Sequence, residues 1–141
     1  MRHRHSIARL FLLALVIASA VPATASRGPA RQWAIVYLSQ PTLIGRSIVQ
    51  GPVMFVHDDA KMARGEPCTT VSLFDLGRGP KEEVAAFHCI PTRREAVTTF
   101  TVTTRPNTAL ENGCVLTEYQ FAGDTEGHAV PARSSAAGGA R

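Results

Sequence analysis

Beyond residue 25 the chain carries three histidines, His57, His88 and His128, and three cysteines, Cys68, Cys89 and Cys114. These residue types permit three kinds of chemistry. Two cysteines can join as a disulfide. Cysteine and histidine together offer soft ligands suited to copper or zinc. A cysteine with His57 and the adjacent Asp58 or Asp59 outlines a nucleophile, a base and an orienting group.

A pairing argument brings four of the six together. A strand ending at His57 pairs antiparallel with one starting near Cys68, which sets His57 opposite Cys68. A strand from Thr69 to Phe74 pairs with Val84 to Ile90 through a Gly-Pro turn, which sets Cys68 or Thr69 opposite Cys89 or Ile90. His57, Cys68, His88 and Cys89 then lie near one end of a three-stranded meander. On a regular strand His88 and Cys89 point to opposite faces, so at most three of the four share one.

The disulfide is the reading favoured here, because paired cysteines oxidise in an exported protein. Cys68 with Cys89 fits the hairpin and closes a loop of about 20 residues, a contribution of about 3 kcal/mol. Cys89 with Cys114 is the alternative pairing. No cofactor is expected on this reading; the alternative is copper or zinc held within the His57, Cys68, His88 and Cys89 cluster by His57, Cys68 and one of His88 or Cys89, with Met62 or Asp58 as further donors. Against it, the sequence has no Cys-x-x-Cys, no His-x-x-x-His and no haem-attachment motif. The blue-copper pattern fails too, since no His follows Cys114 until His128 and no Met follows at all. For catalysis no local signature such as Gly-x-Ser-x-Gly is present, and no catalytic residue is assigned. The polar stretch Asp124 to His128 reads as a solvated hairpin tip, although it can deliver Glu126 or His128 toward the cluster.

The elements that must position these residues read as strands: Gln32–Ser39, Leu43–Gln50, Pro52–His57, Thr69–Phe74, Glu83–Ile90, Ala96–Thr104, Cys114–Phe121 and a short Gly127–Val130. β-branched and aromatic residues fill them, and Pro41, Gly51-Pro52, Asp75 to Pro80, Pro91, Pro106 and Asn112-Gly113 punctuate them. Asp58 to Gly65 is the exception, an acidic cap, helix-forming residues and a glycine, which predicts one or two helical turns. The fold expected is all-β, a single small sandwich or barrel of seven or eight mostly antiparallel strands.

The first 25 residues have the parts of a secretory signal. Arg2, Arg4 and Arg9 precede an uncharged run from Leu10 to Val21, and Ala23-Thr24-Ala25 offers small residues for cleavage. The apolar run would make about 18 Å of helix, short of a hydrocarbon core about 30 Å thick. The organisation expected is a signal peptide (1–25), a flexible leader (26–31), a β-domain (32–131) and a disordered tail (132–141). No cysteine precedes Cys68, which argues against a lipoprotein, and the mature chain has no further apolar run long enough to span a membrane. The whole chain carries 15 Lys and Arg against 11 Asp and Glu, but three of the arginines lie in the signal and none of the acids do. The mature chain is therefore close to neutral, and nucleic acid is not an expected partner.

Three phrases carry a resemblance: 55 to 69 (Phe-Val-His-Asp-Asp-Ala-Lys-Met-Ala-Arg-Gly-Glu-Pro-Cys-Thr), 87 to 91 (Phe-His-Cys-Ile-Pro) and 118 to 128 (Glu-Tyr-Gln-Phe-Ala-Gly-Asp-Thr-Glu-Gly-His). They resemble small exported bacterial proteins of unknown function, and the resemblance implies no activity. The function expected is therefore a periplasmic or extracellular β-domain that is not an enzyme. It binds a protein or small-molecule partner or has a structural role in the envelope. The alternative is a metal-binding or redox-handling protein using the His/Cys cluster, and a small hydrolase comes third.

Overall fold

The computed structural model describes residues 30–132. The expected signal peptide, most of the leader and nearly all of the tail lie outside the described residues.

Among the described residues, eight strands and one short helix follow in the order β1 (Arg31–Ile44), β2 (Ser47–Asp58), α1 (Asp59–Ala63), β3 (Thr69–Asp75), β4 (Gly79–Phe87), β5 (Ile90–Arg93), β6 (Thr101–Pro106), β7 (Cys114–Gln120) and β8 (Glu126–Ala129). The domain is all-β, as the composition predicts. The strands form one sheet in the order β4-β3-β2-β1-β7-β8-β5, with β6 also paired to β7. All the strand pairings are antiparallel except the short contact of β1 with β7, Thr42 to Cys114 and Leu43 to Val115. No helix among the described residues is long and apolar enough to cross a membrane.

The first hairpin differs from its expected form. β1 runs through Pro41, and β2 runs through Gly51-Pro52; the turn falls instead at Gly45 and Arg46. Gly45 has φ +60, a conformation that costs a glycine little. The register shifts between Leu38 and Thr42, so Pro41 sits in an irregular stretch of the ladder, where its missing N–H is tolerated. The expected strand from Glu83 to Ile90 is also divided: β4 ends at Phe87, β5 begins at Ile90, and His88 and Cys89 form the link.

Period-two alternation sorts the side chains. Along β1, Trp33, Ile35 and Tyr37 are exposed, while Ala34, Val36 and Leu38 face the core with Val53, Phe55 and Val71. The sheet folds back so that these meet side chains of β7. Phe55 contacts Tyr119 and Phe100 at centroid separations of 5.3 Å, and Phe100 contacts Phe121 at 5.1 Å. Two inward rows end beside this aromatic group. One is Gln32, His57, Thr69 and Phe87, in register across β1 to β4. The other is Val102, Tyr119 and His128, in register across β6, β7 and β8, continued on β5 by the exposed Pro91.

Candidate metal centre

Where the two rows face each other lies a buried polar group among apolar side chains. His57, at the end of β2, is 1% exposed. The chain leaves the sheet after it, makes the single turn of α1 and returns at Cys68. The N–H of Asp58 donates to the Cys68 carbonyl at 2.9 Å and closes this excursion. The two aspartates then take separate tasks. Asp58 caps α1, its Oδ1 accepting from the N–H groups of Ala60 and Lys61. That pins Asp59 in the first turn, where Oδ1 accepts from His57 Nε2 at 2.9 Å and Oδ2 accepts from the Ala30 N–H. A carboxylate on Nε2 places that nitrogen's proton and leaves the Nδ1 lone pair facing inward.

Toward that lone pair come two sulfurs. Cys89 Sγ is 3.6 Å from His57 Nδ1 and 3.0 Å from Cys68 Sγ, and the Cys89 N–H donates to Cys68 Sγ at 3.3 Å. The donor atoms of His57, Cys68 and Cys89 all lie within 4.8 Å of one another, and all three residues are buried. His128 approaches from the opposite row. Its Nδ1 is 3.5 Å from Cys89 Sγ, and its ring lies 4.2 Å from that of His57 and 4.8 Å from that of Tyr119. Among the described residues, His128 Nε2 is the one buried side-chain polar atom without a hydrogen-bond partner. The Tyr119 hydroxyl bonds with that of Thr69 and stands 3.4 Å from His57 Nδ1.

Burial dominates the electrostatics. It pushes the Cys89 thiol up to about 12, with the neighbouring Cys68 adding to the shift, and it raises the Tyr119 phenol. His128 is held down to about 4, first by burial and then by the charge of His57. A thiol held protonated is the opposite of an activated nucleophile, although Cys89, His57 and Asp59 stand in the order of a catalytic set. The same buried donors suit a cation, which supplies the positive charge that buried thiolates lack.

The structure revises several expectations. His57, Cys68 and Cys89 come together, but His88 is exposed, because the link after β4 turns Cys89 inward and His88 to solvent. Its place near the sulfurs is taken by His128, which lies in β8 and is buried, not at the solvated hairpin tip expected for Asp124 to His128. The three cysteines are free thiols. The favoured Cys68–Cys89 disulfide is not formed, since the sulfurs stand 3.0 Å apart against about 2.05 Å for a bond. The alternative partner Cys114 packs 3.3 Å from Thr42 Oγ1 at the start of β7. It lies five positions from Tyr119 along β7, about 17 Å of strand. Tyr119 was not singled out in the sequence, where its only signal is a phenol among apolar neighbours. Met62 is not buried.

Ligands held about 2.0 to 2.3 Å from a common ion stand about 3.3 to 3.8 Å apart. The His57 and His128 nitrogens, 3.6 and 3.5 Å from Cys89 Sγ, stand within that range, and the two sulfurs, 3.0 Å apart, must part by somewhat under about 1 Å to share an ion. Comparison of the chain with protein-family models, with curated proteins and with solved structures finds no match.

Proposed function

We propose that this chain is an exported, non-enzymatic metal-binding protein that holds a soft cation, zinc(II) or copper(I), through His57, Cys68 and Cys89. The observation that carries the reading is the Asp59–His57 hydrogen bond at 2.9 Å. A carboxylate that orients a histidine from behind is the usual outer support of a metal-ligating imidazole. Here the free nitrogen is directed at two convergent sulfurs. A catalytic use of the same atoms is disfavoured by their burial and by the protonated state of Cys89.

The test is elemental analysis of the full chain, reduced and reconstituted separately with zinc(II) and copper(I). The wild type is expected to retain about one equivalent after desalting. Cys89→Ser and His57→Ala are expected to fall to background, and His88→Ala to match the wild type. Background metal in folded wild type, or retention unchanged in both Cys89→Ser and His57→Ala, removes the reading.

A further inference from the structure

The two sulfurs that serve as ligands are also the nearest pair of thiols in the fold, and the two roles exclude each other. Cys68 lies just before β3 and Cys89 in the link between β4 and β5, so strand pairing, and not chance proximity on one loop, holds them 3.0 Å apart. Closing that gap to a bond requires a movement of about 1 Å. A disulfide carries no thiolate charge, and its formation leaves the imidazoles alone to hold a cation.

We infer that Cys68 and Cys89 form a dithiol–disulfide couple that gates the metal site, with the dithiol binding the cation and the disulfide excluding it. This rests on the metal-binding reading above and names the regulation of that site. The oxidant class is a small-molecule disulfide. Cys89 is the entry point, since it lies in an irregular link and is 7% exposed against 2% for Cys68. Cys89, held protonated at rest, gives up its proton as its sulfur attacks one sulfur of the small disulfide, forms a mixed disulfide and releases one small thiolate. Cys68 then attacks the Cys89 sulfur, forms the Cys68–Cys89 bond and releases the second small thiolate. The protons lost by Cys89 and Cys68 end on the two released thiols. The protein loses two electrons and the small disulfide gains them. A cation bound to both sulfurs occupies the lone pairs that either attack needs, so loading should protect the pair. Cys114, beside Thr42 at the far end of β7, takes no part.

The experiment exposes the reduced full chain, metal-free or loaded with zinc(II), to oxidised glutathione. Thiols are alkylated at intervals, intact mass and peptide mapping follow, and zinc binding is then titrated. The metal-free protein is expected to form one Cys68–Cys89 disulfide with Cys114 alkylated, and then to bind zinc at least about 100-fold more weakly than the dithiol form. Zinc loading is expected to slow oxidation at least about tenfold. Cys114→Ser should behave as the wild type in both arms. If zinc gives no protection, or if another pair forms, the gate is refuted while the metal site stands; if the disulfide form binds zinc as tightly as the dithiol, the sulfurs are not ligands and both readings fall. If the reduced, folded wild type binds no zinc and no copper(I), both fall together.

Discussion

The Asp59–His57 contact offers the sharpest test of how the site is built, through Asp59→Ala. This substitution removes the acceptor 2.9 Å from His57 Nε2 without touching a ligand atom. Loss of such an outer-shell carboxylate typically weakens metal affinity about 10- to 100-fold. Asp59 is 39% exposed, so water can replace part of its interaction. The expected effect therefore lies at the lower end, about tenfold or about 1.4 kcal/mol. Asp59→Asn keeps an oxygen acceptor and should lose less. Asp58→Ala is the control: it sits one residue away and caps the same helix, and its loss should cost about 1 kcal/mol of stability through the freed N–H groups of Ala60 and Lys61. Because the cap also pins Asp59, its loss should weaken metal affinity, but less than Asp59→Ala does. The assay is competition for zinc(II) against a chromophoric chelator, on reduced full chain well below its unfolding temperature, with thermal unfolding of the metal-free forms alongside. If Asp59→Ala binds zinc within a factor of about two of wild type, or if Asp58→Ala weakens binding equally, the orienting role is refuted.

Two further outcomes test the frame around the site. Phe55 is fully buried between Phe100 and Tyr119, so Phe55→Ala should destabilise the metal-free domain by about 3 to 5 kcal/mol in urea unfolding; a loss under about 1 kcal/mol would contradict the packing described. Glu118 accepts two hydrogen bonds from Arg94, at 2.7 and 2.8 Å, and these hold its carboxyl below the usual carboxylate range. Its contribution is present above the unfolded value near 4.5 and is lost as pH falls through the lower folded value. Glu118→Gln should therefore cost up to about 1 kcal/mol at neutral pH, with the difference from wild type shrinking in acid; a difference that grows in acid would reverse the assignment.

Much of the site was legible because it depends on local pairing. The meander of β2, β3 and β4 follows from alternation and turn residues, and the capped excursion at 58–65 forces the chain to return near where it left. Those two facts bring His57, Cys68 and Cys89 together even though the expected register was displaced. Phe74 pairs with Pro80 and not Val84, and His57 pairs with Thr69. The error over His88 has a physical source. Alternation holds on a strand, and the sequence gives no sign that β4 stops at Phe87.

What the sequence alone determined is the all-β class, the short capped helix and the convergence of His57 with Cys68 and one of the neighbouring His88 and Cys89, all set by contacts between neighbouring segments. Tertiary structure decided the rest. His128 reaches Cys89 because β8 pairs with β7, setting His128 opposite Tyr119, and because the folded sheet lays that row against the row holding His57. The contacts between the two rows, Cys89 with His128 and His57 with Tyr119, join residues 39 and 62 apart in sequence, and they are fixed by burying the Phe55, Phe100, Tyr119 and Phe121 group, which no short-range pattern records.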